Sequence, residues 1–450
     1  MEIIETLEEK GIRKIKIGIF DIDGVFRGKY VSMAKFKSIA KKGFGFCDVV
    51  FGWDINDQLY EGTGVTFTGW HTGYPDAHAQ VDMATLRTIP WEPNTALFIA
   101  DFYDPHGDPL GVCPRQLLKR LQNRSQKLGY RPMFASEFEY FLFLESPHSA
   151  AEKHYRDLLP LSPGMFGYSA LRTTYNSELI HAILDGMHDF NLQIEGFHTE
   201  TGPGVYETAL LFGTALESAD RAALFKTAMK EICNRHGVLA CFMAKPNAQF
   251  PGCSGHLHQS LWDLEGRQNL FFDPQSTHQM SGLFRHYLAG VLELAPEFSA
   301  FYMPTINAYK RRVPGTWSPV NVSWGVDNRT ASCRVIPGGL SATRLELRIT
   351  SADINPYIAY AAALAAGLYG IENELELPPV LEGNAYEPSD ALELPRSLDR
   401  ATDLLDQSER ARELLGAAFV DHFVATRRWE VREYEKAVTD WELHRYFELI

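Results

Sequence analysis

One run constrains this chain more than any other: Phe134-Ala135-Ser136-Glu137-Phe138-Glu139-Tyr140-Phe141-Leu142-Phe143. It is apolar, rich in aromatic residues and of strand length, so it belongs inside a sheet. Side chains alternate between the two faces of a strand, so Glu137 and Glu139 leave the same face. Two carboxylates so placed repel each other. Burial sharpens the conflict, because an ionised carboxylate removed from water needs a counter-charge or a metal ion. Either this face is solvated, or the pair holds a divalent cation.

The rest of the chain narrows the choice. A formal charge of −14 over 450 residues lacks the basic stripe of a nucleic-acid binder, and the length suits two or three domains. Residues Met1 to Lys10 hold four glutamates and no apolar leader. The longest apolar run, near Ile358 to Tyr369, is short of the roughly 20 residues of a membrane span. Six scattered cysteines form no Cys-x-x-Cys pair, which suits a reducing cytoplasm.

Residues 13–31 read as a strand, an Asp-Gly turn at Asp23-Gly24 and a second strand, followed by a basic helical patch through Lys42. The long segment 43–90, rich in Gly, Asp, Trp and His, is of the kind that carries function. Turn chemistry at Pro105-His106-Gly107-Asp108-Pro109 divides a small β-rich domain, 1–106, from a larger domain, 107–450. In the latter, Pro114 opens a helix that Gly129 closes. Further helical patterns cover 177–188, 214–236, 280–296, 354–374 and 398–450, with short β-like runs between them. The fold class is α+β.

Three more polar faces stand out. In Glu195-Gly196-Phe197-His198-Thr199-Glu200-Thr201-Gly202-Pro203-Gly204-Val205-Tyr206-Glu207, the Gly-Pro-Gly turn lets two strands double back and bring Glu200 to Glu207. His256 and His258 sit two apart in Gly255-His256-Leu257-His258 and share a face, as metal-ligating imidazoles can. Arg344, Glu346 and Arg348 alternate with leucines, and Lys310-Arg311-Arg312, Arg329 and Arg334 add guanidinium groups. Each set alone reads equally as a solvated face. Together they describe a charged funnel, with carboxylates for cations and arginine forks for phosphate or carboxylate. Such a site suits metal- and ATP-dependent phosphoryl transfer to an acidic substrate. No Walker-type Gly-x-x-x-x-Gly-Lys-Ser/Thr sequence is present.

These motifs, with Asn307-Ala308-Tyr309-Lys310-Arg311-Arg312-Val313-Pro314-Gly315, Asn328-Arg329 and Asn355-Pro356-Tyr357, resemble the glutamine synthetase family in order and approximate spacing through nearly the whole chain. The resemblance implies a β-grasp-like amino-terminal domain, a large catalytic domain with an antiparallel half-barrel, and a homo-oligomer of two stacked hexameric rings. It implies two or three Mg²⁺ or Mn²⁺ ions per site. Glu139, Glu200 and Glu207 match the ligands of one, with Glu137, His256 and Glu346 around the second. Glu195, Phe212, His258, Ser260 and Arg344 match contacts to ATP. Arg311, Arg348 and Gly252 match the glutamate site, and Arg329 and Arg334 the arginines on the transferring phosphate. Asp54 matches the carboxylate that a neighbouring subunit offers to the incoming amine. The implied reaction phosphorylates the γ-carboxylate of glutamate with ATP, and an amine then displaces the phosphate.

The chain departs from the ammonia-using pattern in the flap Val313-Pro314-Gly315-Thr316-Trp317-Ser318-Pro319, where Trp317 stands in place of a glutamate. An indole accepts no proton from ammonium, but its face holds a cation and its area lines a pocket for carbon. The expectation is therefore a γ-glutamylamine ligase acting on methylamine, ethanolamine, putrescine or a related amine. Trp53, Trp70, His71 and Tyr74 in the loop 51–74 favour a monoamine or aromatic amine. Two alternatives are a true glutamine synthetase using ammonia and a non-catalytic structural ring. A second departure is the Gly252 to His256 loop, one residue shorter than the usual form, which weakens the assignment of Gly252.

Overall fold

The computed structural model describes residues 2–62, 64–387 and 390–450. Its amino-terminal part is a five-stranded sheet of β1 (Lys14–Phe20), β2 (Phe26–Ser32), β3 (Phe44–Cys47), β4 (Asp76–Thr88) and β5 (Thr95–Tyr103), in the order β2-β1-β5-β4-β3. The β1–β2 turn forms because the Asp21 carboxylate accepts the Asp23 and Val25 amides, at 3.0 and 2.9 Å, while Gly24 takes a φ of +77°. The basic patch is the helix Met33–Lys42, whose Phe36 and Ile39 are buried and whose Phe36 ring stacks on Phe98.

The second sheet carries the candidate site. It comprises β6 (Arg131–Phe143), β7 (Ile194–Thr199), β8 (Val205–Leu210), β9 (Gly213–Thr214), β10 (Leu239–Cys241), β11 (Leu257–Trp262), β12 (Trp324–Val326), β13 (Cys333–Ile336) and β14 (Arg344–Leu347). The main order is β12-β13-β14-β11-β6-β8-β7, and β9 and β10 also pair with β6. This curled sheet, antiparallel except for the β12–β13 pair and wrapped by helices, gives the α+β half-barrel that the family resemblance implies. Strand β6 lies at its centre. Phe138, Tyr140 and Leu142 turn into the core, so Glu137 and Glu139 are left on the other face.

The helix Pro356–Glu372 packs behind β6, where the Tyr360 and Ser136 hydroxyls are 2.8 Å apart. It is apolar all round, as a helix buried on every side must be. Its closest neighbour is the helix Gly282–Tyr302, and a Cβ on Gly290 would stand 2.2 Å from the Ala366 carbonyl. This second helix differs from its expected span. It runs on through Pro296 to Tyr302, because burying Phe298, Phe301 and Tyr302 outweighs the hydrogen bond that a proline removes. The segment 398–450 is likewise not continuous but forms four helices, Leu398–Asp406, Glu409–Leu415, Ala417–Glu435 and Asp440–Tyr446. Ser408 and Thr439 cap new starts, and Gly416, at φ +88°, breaks the chain between the second and third.

The two parts are joined by buried charge. Arg115 bonds Asp101 of β5, Asp220 of the helix Ala215–Arg235 and Asp82 of β4, at 2.8, 2.8 and 3.0 Å. The Asn355 side chain, which caps the central helix, donates to the Asp21 carbonyl at 2.9 Å. Among the described residues no helix is long and apolar enough to cross a membrane.

Candidate active site

Strand register turns isolated polar faces into one site. Across the sheet, Arg334, Glu346, His258 and Ala135 are successive register partners on β13, β14, β11 and β6. Four residues further along β6, Glu139, Glu207 and His198 form a second row on β6, β8 and β7. Glu137 lies between the rows, so the carboxylates and imidazoles of five adjacent strands converge on one patch.

Two groups have ligand atoms all within 4.8 Å of one another: Glu137, His256 and Glu346, and His198, Glu200 and Glu207. The first matches the expected set. To the expected Glu200 and Glu207, the second adds His198. It was missed, although its position two residues before Glu200 obeys the same alternation that marked Glu137 and Glu139. His198 Nε2 is 3.2 Å from Glu207, and its ring stacks on Tyr168 at 4.4 Å. Glu139 is next to this group as the partner of Glu207, and its carboxylate accepts the Ser254 amide at 2.5 Å.

The electrostatics fit divalent cations. Burial, and then the Glu207 charge, push the Glu139 carboxyl up to about 7. Burial also opposes ionisation of Glu137, but His258 and His256 outweigh it and hold that carboxyl well below its ordinary value. Burial works against the Glu346 charge too, and Arg348 and His256 bring that carboxyl down to about 2. His256 Nε2 is buried without a hydrogen-bond partner, while Nδ1 is 3.3 Å from Glu346. A buried imidazole with a free nitrogen beside carboxylates has the donor set of a cation site.

Two clefts meet at Glu137. The first is lined by all five residues expected at ATP, namely Glu195, Phe212, His258, Ser260 and Arg344. It also contains Trp262, which sequence reasoning overlooked. Trp262 and Phe212 are nearly parallel, at 20°, with ring centroids 6.4 Å apart. The two rings give the cleft an aromatic surface against which a flat heterocycle can stack. Arg344 Nε donates to His258 Nδ1 at 3.1 Å, leaving the proton on Nε2, which is 3.0 Å from Glu137.

The second cleft, about 570 Å³, is lined by Glu137, Glu139, Glu200, Glu207, His256, Gly252, Arg311, Arg329, Arg348 and Trp317 among others. Arg311 is buried, gives one nitrogen to the carbonyls of Ile349 and Thr350 at 2.9 and 3.1 Å, and keeps an unpartnered Nε. A buried guanidinium of this kind suits an anionic ligand. Gly252 allows the packing, since a Cβ there would fall 2.4 Å from Arg311 Cγ.

Three expected residues stand apart from this cleft. Glu346, 1% exposed, lies behind its wall and is paired with Arg348 and Arg334. Arg334 does not line it and is held between Glu346 and Asp327, at 3.0 and 2.9 Å. Asp54 is in the amino-terminal part, where its carboxylate accepts the Asn56 and Gln58 amides and the Trp429 indole N–H, at 2.8, 2.9 and 2.9 Å. It does not line the cleft of its own chain. Trp317 does, at the mouth, and is 64% exposed.

Comparison with known proteins gives the same outline. Residues 111–446 match the family model "Glutamine synthetase, catalytic domain". The chain is 51% identical to "Type-1 glutamine synthetase 2" of Dictyostelium discoideum, over 97% of this chain and 84% of that one. It is 39% identical to "Glutamate--isopropylamine ligase" of Pseudomonas sp, over 100% and 98%. A solved structure described as "GmaS/ADP complex-Conformation 1" superposes with a TM-score of 0.86, at 29% identity and 99% coverage of both chains.

Proposed function

Because the chain belongs to the glutamine synthetase family, we propose that it is an ATP-dependent ligase joining the γ-carboxylate of glutamate to an amine other than ammonia. The amine reading rests on the indole of Trp317 at the cleft mouth, on a flap, 313–319, that contains no carboxylate. The similarity to a glutamate–isopropylamine ligase supports it.

In this reading ATP enters the cleft of Phe212, Trp262, Ser260, Glu195 and Arg344, with its base stacked against the aromatic rings. Glutamate occupies the second cleft, its carboxylate at Arg311 and Arg348. Phosphoryl transfer takes place where the clefts meet, at Glu137. The γ-carboxylate oxygen takes the terminal phosphoryl group, ADP leaves, and Arg329 faces the developing charge. The amine nitrogen then attacks the γ-carbonyl, inorganic phosphate departs, and the nitrogen loses a proton. Divalent cations, Mg²⁺ or Mn²⁺, would be held by Glu137, His256 and Glu346 and by His198, Glu200, Glu207 and Glu139, and would neutralise phosphate charge. Asp54 does not line the second cleft of its own chain, so we assign its part in binding amine to a neighbouring copy in a ring, which we take to be a stacked pair of hexamers.

A second reading, ammonia as the substrate, is favoured by the 51% identity to a protein named as a glutamine synthetase. The two are separated by phosphate release and product mass with ATP, Mg²⁺, glutamate and a panel of ammonia, methylamine, ethanolamine, isopropylamine and putrescine. The amine reading expects one alkylamine to exceed ammonia at least about tenfold in kcat/KM, the effect of about 1.4 kcal/mol of differential binding. Equal or better use of ammonia would falsify it.

A further inference from the structure

Residues 383–386 run between two loops of the second cleft. On one side the Asn328 side chain donates to the Gly383 carbonyl at 2.8 Å, and the Ala385 amide donates to the Thr330 hydroxyl at 3.0 Å. The Asn321 side chain donates to the Ala385 carbonyl at 2.8 Å. The segment is thus tied to both residues that flank Arg329. On the other side, the Tyr386 hydroxyl donates to the Ser318 carbonyl, next to Trp317, at 3.1 Å. Arg348 and Arg311 also act on this phenol electrostatically.

The backbone held by Tyr386 is an unusual one. Trp317 has a φ of +60°, the left-handed region that bulky L residues avoid. With its side chain 64% exposed, packing of the indole does not hold it there. Such a conformation persists only where its surroundings over-determine it. Here Thr316 holds one end, through its hydroxyl on the Val313 carbonyl at 2.6 Å, and the Tyr386 hydroxyl holds the other.

We propose that Tyr386 is a positioning residue for amine selection: its hydroxyl fixes the Trp317-Ser318 backbone so that the indole walls the cleft, and residues 383–386 keep that wall in register with Arg329. The proposal rests on the reading of Trp317 as the wall of an amine site. It predicts a lesion chiefly in amine binding, since the bond made by the Tyr386 hydroxyl goes to the flap backbone and to no nucleotide, metal or glutamate residue, the influence of Arg311 and Arg348 on it being electrostatic only.

The test compares the assembled wild-type enzyme with Tyr386→Phe, Trp317→Ala and the double variant. Two readouts are used: steady-state kinetics with each substrate varied, and hydrogen exchange of peptides spanning 313–319. Tyr386→Phe is expected to speed exchange in the flap and raise KM for the preferred amine about three- to tenfold, the scale of one lost hydrogen bond. KM for ATP and glutamate should stay within about twofold. The double variant should match Trp317→Ala, because the hydroxyl acts through the indole. Unchanged flap exchange overturns the proposal, as does a loss shared equally by all substrates. If Trp317→Ala leaves amine preference unchanged while Tyr386→Phe still loosens the flap, the reading of Trp317 as amine wall fails, and the specificity role of Tyr386 fails with it.

Discussion

Glu139 of β6 and Glu207 of β8 face each other as register partners, a like-charge pairing that costs stability in a bare sheet. Glu139→Gln is expected to raise the melting temperature of the metal-free protein and to shrink the further increase that Mn²⁺ brings. Activity should fall by about 100-fold or more, as when a centre of transition-state charge stabilisation is removed. Thermal unfolding with and without Mn²⁺, beside phosphate release, checks this. A variant with the full wild-type response to Mn²⁺ would remove Glu139 from the cation site.

Trp262 gives the proposed base an aromatic surface beside Phe212. Trp262→Ala should raise KM for ATP about tenfold, from a stacking loss of about 1–2 kcal/mol, with KM for glutamate little changed. Initial rates over an ATP series settle the point. An unaltered KM for ATP would place the base elsewhere.

Trp317→Glu puts a carboxylate at the mouth of the second cleft. The ratio of kcat/KM for ammonia to that for the best alkylamine should rise about tenfold, through attraction of a small cation and loss of apolar contact. Competition between the two amines, read by product mass, measures it. A constant ratio would mean that the flap does not choose the amine.

Arg115 is 3% exposed in side-chain terms and joins Asp82, Asp101 and Asp220 across the two parts of the molecule. Arg115→Met leaves Asp101 and Asp220 buried without their main counter-charge. The expected loss is on the order of 3–5 kcal/mol, read from urea unfolding. A loss below about 1 kcal/mol would show that Lys119, which also pairs with Asp82 and Asp101, supplies enough counter-charge by itself.

His422 is buried against the edges of Phe51 and Phe67, both ring nitrogens lack partners, and burial and Arg427 push its imidazole down to about 4. The unfolded chain takes up a proton near pH 6.5, which the folded chain refuses until about pH 4. Stability from this group is therefore complete above pH 6.5 and is lost as pH falls toward 4, by on the order of 3 kcal/mol. His422→Phe should flatten the fall in melting temperature between those limits. An unchanged slope would assign acid sensitivity to other groups.

Much of the fold was legible because local rules govern it. Alternation put Glu137 and Glu139 on one face, Pro114 and Gly129 bracketed a helix, and Asp23-Gly24 marked a hairpin. The errors occurred where tertiary burial overrode a local signal. Pro296 should stop a helix, yet the apolar residues after it carry the helix six residues further. In the final segment, Gly416 and the caps at Ser408 and Thr439 divide what the helical pattern joined.

The site divides along the same line. The sequence by itself determined which side chains share a face within each strand, because the period of two is a property of the backbone. It also gave the chemistry on offer: carboxylates, imidazoles, guanidinium forks and an indole where an acid was expected. Only the tertiary structure decided register. Nothing local places Glu346 opposite His258 or Glu207 opposite Glu139, since these pairings join segments far apart in the chain, whereas His198 meets Glu207 across the short turn between β7 and β8. Nor does anything near Trp317 in sequence reveal that Tyr386, far along the chain, bonds the carbonyl of the next residue, Ser318.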